Sequence, residues 1–155
     1  MAQLTNPNPR AYEVLPQYHQ YPVDASQTIY EGSAVGTPKV TSGGATAGYM
    51  RQLVALDLFI GFSNDTVSNA SGAAGAVNVD VITEGVVKLN VVGASISAIG
   101  LDVYASDGNT FTITQSGNEY ITDSSVGKIV KWLSGTSCLV KFQGEGYRSV
   151  DFTNL

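Results

Sequence analysis

Between Val77 and Val92 the chain alternates: Val77, Val79 and Val81 stand against Asn78 and Asp80, and a second apolar run over residues 86–92 follows Glu84-Gly85. Successive side chains of a strand point to opposite faces, so a period of two buries one face and wets the other. Valine, stiff at χ1, suits that pleated surface better than a helix. A half-buried strand is therefore the element around which the rest must be arranged. Glu84-Gly85 inside it reads either as a hairpin turn or as a glycine bulge.

Strand, turn, strand is also the pattern of what surrounds it. The spacing predicts strands over residues 28–35, which meet Gly36 and Pro38, and over the very apolar residues 52–62. Residues 41–48 and 64–75, built of small residues, read as flexible exposed loops. Asp107-Gly108 predicts a type I′ hairpin with Tyr104 opposite Phe111 and Ala105 opposite Thr110. A second hairpin joins residues 126–133 to 138–143. A two-residue turn at Ser134-Gly135 would set Lys128 against Lys141, and like charges directly opposite destabilise a ladder. A four-residue loop over 134–137 is expected instead, placing Lys141 opposite Val130 and Ile129 opposite Phe142. Helix is confined to one turn near residues 95–99. The expectation is an all-β domain, a small sandwich or partly closed barrel of about eight or nine strands.

Four of the five prolines, Pro7, Pro9, Pro16 and Pro22, fall in residues 1–27, together with Tyr12, Tyr18 and Tyr21. Proline removes a backbone donor and drives the preceding residue away from helix, so this segment is extended. Its tyrosines, Val14 and Leu15 are costly to leave in water. The reading is a docking N-terminal arm, residues 1–27, followed by a β-domain, residues 28–155. Arg10, Tyr12, Leu15, Tyr18 and Tyr21 are its candidate contact residues.

Composition narrows the chemistry. The 155 residues suffice for one core, and 43% hydrophobic content excludes a wholly disordered chain. No apolar run reaches the roughly 18 residues of a spanning helix, so no membrane partner is expected. The start, MAQLTNPNPR, lacks a basic and then apolar leader, which points to synthesis in the cytosol. A net charge of −5 with eight scattered basic residues gives no footprint for nucleic acid. Only 14% of residues are charged, against roughly 25% in an average domain.

Catalysis finds little support. His19, the single histidine, sits in the arm without a rigid surrounding to fix its geometry. Cys138, the single cysteine, alternates with Val140 and Phe142 on a buried face, so neither a disulfide nor a zinc site is expected. Asp107-Gly108-Asn109 is accounted for by turn chemistry rather than by calcium, and Asp102 nearby adds no fixed ligand spacing. The Gly43-Gly44, Gly72 and Gly75 loops lack the lysine and the strand-to-helix context of a phosphate cradle. No cofactor, metal or catalytic residue is assigned, and the chain is read as a non-enzyme. Tyr12, Tyr18, Tyr21, Tyr49, Tyr120 and Tyr147 are expected to be exposed, available to protein or to sugar rings.

Gly100-Leu101-Asp102-Val103-Tyr104, then Asp107-Gly108, then Val126-Gly127-Lys128-Ile129-Val130 form a pattern that resembles the small all-β capsid decoration, or cement, proteins of tailed bacteriophages. Ile29-Tyr30-Glu31-Gly32-Ser33-Ala34-Val35 looks like that family's early strand, and residues 77–92 with Gly85 are similar to its central block. The likeness spans about residues 28–143; the arm and residues 64–75 lie outside it. It implies a non-enzymatic protein on the outer surface of a phage head. Such a protein is typically a homotrimer at threefold positions that clamps subunits of the major capsid protein, which it meets in the host cytoplasm. A carbohydrate- or receptor-binding β-sandwich on a virion or cell surface is the alternative.

Overall fold

A computed structural model describes residues 2–12, 17–41, 43–113 and 124–144. Eleven strands occur among them: β1 (Gln17–Pro22), β2 (Gln27–Ile29), β3 (Ala34–Thr37), β4 (Arg51–Gln52), β5 (Leu58–Ser63), β6 (Val67–Asn69), β7 (Asn78–Val92), β8 (Asp102–Asp107), β9 (Thr110–Thr112), β10 (Ser124–Ser134) and β11 (Ser137–Gln143). A single 3₁₀ turn, Ile96–Ala98, is the helical content of the described residues. The chain is thus an all-β protein, as its alternation predicts.

β7 is the spine. Its second half pairs antiparallel with β11, β11 with β10, β10 with β8, β8 with β9, and β9 returns parallel to β7, closing a five-stranded barrel. Its first half continues into an open sheet of β5, β3 and β4. Val87, Leu89, Val103, Phe111, Ile129 and Phe142 point into the barrel, where Phe62 and Phe59 from β5 join them. The other face of the open sheet carries a second core of Val23, Ile29, Val35, Met50, Ile60, Val79 and Val81. The small β2–β6 sheet contributes Ile29 to this core and packs Val67 against it.

Several local expectations need correction. Glu84-Gly85 is not a hairpin turn, because β7 runs through it without a break. Residues 28–35 form two strands, with Gly32 between them at φ 88°. Its amide donates to the Ser63 carbonyl at 2.8 Å, and a Cβ there would collide with the Asn8 carbonyl. Left-handed backbone and a close main-chain approach both demand glycine. Residues 52–62 are likewise broken, because Asp57 accepts hydrogen bonds from Arg51 and from the Val54 amide and so holds a turn between β4 and β5. Residues 64–75 contain β6. Buried Asn69 pins this segment by donating to the carbonyls of Asp24 and Ala73, each at 2.9 Å.

Both hairpin registers also shift. In the first, the two turn residues are Gly108 and Asn109, and Ala105 faces Phe111 while Tyr104 faces Thr112. Neither turn residue has positive φ, so the turn is not type I′. The Asp107 carboxylate holds it instead, accepting from the Asn109 amide at 2.8 Å and the Thr110 hydroxyl at 3.0 Å. In the second, the loop is Gly135-Thr136, and irregularities near Val130 and Leu133 bring Lys128 opposite Lys141 after all. The repulsion is relieved from the other side, where Asp102 of β8 meets Lys128 at 2.6 Å.

Candidate interaction site

The arm is laid along its own domain. Gln3 starts it: Nε2 donates to the Leu53 carbonyl at 2.9 Å, and Oε1 accepts from the Gly108 amide at 2.6 Å. Leu4 and Gln52 exchange two further bonds. The Asn8 amide donates to Glu31, and the Ala11 carbonyl accepts from the Lys88 amide. Tyr12 then bridges Val87, and β1 continues antiparallel along β7 from Glu84 to Asn78. An extended, proline-rich segment is suited to this, because it surrenders little backbone freedom on docking.

Arg10 reaches inward. Its Nε donates to the Gly32 carbonyl at 2.7 Å and its terminal nitrogen to Asn109 Oδ1 at 2.6 Å, with the guanidinium 5.6 Å from the centre of the Phe111 ring. Burial lowers its pKa, which the neighbouring Tyr12 partly opposes. The Tyr12 ring lies 6.3 Å from Phe142. Burial pushes the Tyr12 phenol well above its usual range, Arg10 works against that, and Tyr18 and Glu31 add to it. Arg10 and Tyr12 therefore act as internal anchors. Tyr18 is 50% exposed. Tyr21 is half-buried against the second core, and burial raises its phenol pKa. Leu15 lies outside the described residues. The expected set of exposed tyrosines shrinks accordingly: Tyr12 is turned inward, Tyr21 and Tyr49 are half-buried, and Tyr120 and Tyr147 lie outside the described residues.

The residues considered for catalysis are dispersed. His19 is exposed on β1, its ring 6.4 Å from that of Tyr21. Cys138 is buried on β11, and burial raises its thiol pKa. Asp102 is paired with Lys128 and Asp107 with its own turn. Among the described residues no group of three His, Cys, Asp or Glu side chains is placed to hold a metal.

What inspection of the sequence missed is an apolar end to the barrel. Val92, Ile96, Ile99, Leu101 and Val130 are between 45% and 67% exposed. The Gly100 amide donates to the Ile129 carbonyl and the Ile129 amide to that of Leu101, so residues 99–101 run beside 129–130. Ala98, in the turn between them, is buried in the barrel core. Single exposed apolar residues are ordinary, whereas five at one end of the barrel make it a candidate contact surface. The signal was present in the sequence as the apolar residues around 95–101, but nothing local shows which of them face out.

A second feature is acidic. The Asp80 amide donates to Asp65 Oδ1 at 3.3 Å, and Glu31 is tied alongside through its amide to Thr66. Burial raises the Asp65 pKa; the bond from Asp80 opposes this, while the charges of Asp80 and Glu31 reinforce it. A carboxylate whose folded pKa is raised costs stability above that pKa, and the cost fades as the pH falls toward the unfolded value. Asp65→Asn, which keeps the accepting oxygen, is therefore expected to raise Tm at pH 7. The gain should vanish below about pH 4, where free Asp is protonated as well. Melting curves across that range check both halves.

A scan of family models and searches of curated proteins and of solved structures find no match to this chain.

Proposed function

We propose that the chain is a structural cement protein that binds the outside of a bacteriophage head, stabilises contacts between major capsid subunits, and works there as an oligomer, a homotrimer. The carrying observation is the apolar end formed by Val92, Ile96, Ile99, Leu101 and Val130. It adjoins the Gly100–Tyr104 segment on which the resemblance to decoration proteins rests. Clustered apolar side chains of this size, on a protein with few charges, favour a protein surface as the partner over a soluble substrate. Arg10 and Tyr12 are engaged with Gly32 and Phe142 of their own domain, which favours the apolar end over the arm as the surface offered to the shell.

The test is co-sedimentation with bacteriophage heads assembled from a major capsid protein. Ile96→Asp with Leu101→Asp is expected to abolish binding while leaving circular dichroism and Tm near those of the parent, because both side chains already face water. Undiminished binding by this variant would sink the reading.

A further inference from the structure

Four of the five lysines of this acidic chain share one outer face. Lys88 of β7 lies across from Leu139 of β11, which lies across from Lys131 of β10; in the next row stand Val86, Lys141 and Lys128. Residues opposite each other in an antiparallel pair point to the same side. The alternate positions Val87, Leu89, Ile129, Val140 and Phe142 fill the barrel, which leaves all four lysines exposed outside it. Strands lie about 4.8 Å apart and alternate residues about 7 Å apart along each, so Lys141 has the other three as near neighbours. Lys128 is paired with Asp102, and among the described residues Lys88, Lys131 and Lys141 have no acidic partner. The basic residues that look scattered along the sequence are thus gathered by strand register.

The opposite sign collects toward the start of β7. Glu31, Asp65 and Asp80 stand together there, half-buried. Eight strand residues, about 27 Å when extended, separate Asp80 from Lys88, too far for a direct ion pair within one molecule. Glu84, the acid between them on the same face, stands opposite Gln143 beside Lys141 without an ion pair among the described residues. Three cations without an acidic partner among the described residues are thus matched by three acids that repel one another. We propose that the lysine face of one copy binds the Glu31, Asp65 and Asp80 cluster of a second copy of this chain. The proposal builds on the reading above, in which the chain works as an oligomer, and supplies the surface that joins the copies. Val86 and Leu139, half-buried between the lysines, give the contact an apolar floor. A nucleic acid is the weaker candidate, since three free ammonium groups release too few counterions to hold one firmly.

The test uses the full-length chain without heads, so it is decided separately from shell binding. Light scattering should report a mass above the 16.2 kDa monomer at about 0.1 M salt, falling toward it at about 1 M, where the Debye length shrinks from about 10 Å to about 3 Å. Reversing the lysines (Lys88→Glu, Lys131→Glu, Lys141→Glu) or the acids (Glu31→Lys, Asp65→Lys, Asp80→Lys) should each weaken association at least tenfold. Mixing the two variants should restore it. Should a reversal variant misfold, the neutral sets, lysine to Gln and acid to Asn or Gln, are read the same way. A monomer at low salt, association that survives acid reversal, or a mixture that stays monomeric would overturn the proposal. Head binding by monomeric variants bears on the cement reading alone.

Discussion

Replacing Phe62 by alanine is expected to lower unfolding stability by about 3–5 kcal/mol, the range for an aromatic removed from a well-packed core. Phe62 is fully buried and stands where β5 enters the barrel. Its ring lies 4.9 Å from Phe142, 5.5 Å from Phe59 and 5.8 Å from Phe111, two of these contacts edge-on. Edge-to-face pairs add about 0.5–1.5 kcal/mol each beyond the area they bury. The three partners come from three different strands and cannot all follow the truncation, so a cavity remains. For a chain of this size the loss corresponds to a fall in Tm of about 10 °C. Thermal and urea melts check it, and a loss under 1 kcal/mol would contradict the packing described. Phe62→Leu should retain about half of the stability that alanine forfeits.

Asp57→Ala is expected to be comparably damaging, at about 3–5 kcal/mol, for a different reason. The carboxylate is 3% exposed and is held by Arg51 at 2.7 and 3.0 Å, while Oδ2 also accepts from the Val54 amide at 3.1 Å. The hydrogen bond to Asp57 and then its charge raise the Arg51 pKa against the opposing effect of burial. The residue's own carbonyl accepts from the Ser124 hydroxyl at 2.6 Å, tying the turn to β10. Removing the buried Asp57 strands both the half-buried Arg51 guanidinium and the Val54 amide, and these uncompensated groups, rather than the pair's net worth, dominate the cost. The double variant Arg51→Met with Asp57→Ala should therefore recover part of the loss. Denaturant titrations of both singles and the double measure this coupling directly; strictly additive effects would show that the two side chains are independent.

How much of this was legible beforehand varies with what each feature depends on. β7 was legible because its alternation is local, and the buried row Cys138, Val140 and Phe142 for the same reason. The break at Gly32 was not, since the demand for glycine comes from its left-handed backbone and from the close approach of the Asn8 carbonyl, which is remote in sequence. The Lys128 and Lys141 pairing was misjudged because a two-strand argument omits the third strand, where Asp102 supplies the missing charge. The arm was read as extended and sticky, but what it touches depends on an open edge of β7 that exists only after the sheet has formed. The lysine face is the extreme case. Positions 88, 128, 131 and 141 acquire a common side only through two strand registers, one of them irregular.

The long middle strand has a further consequence, for folding rates. β7 is bordered by the arm made before it and by β9 and β11 made after it, so neither side can be completed from neighbouring sequence. A topology dominated by distant pairings must close large loops before it is rewarded, and such proteins fold slowly, in milliseconds to seconds. While β11 is still being synthesised, β7 presents an unpaired, valine-rich edge, the kind that recruits other chains. Newly made chains are therefore expected to pass through an open-sheet state before β11 closes the barrel. Growth temperature and chaperone supply, more than the final stability of the barrel, should set the yield of correctly closed molecules.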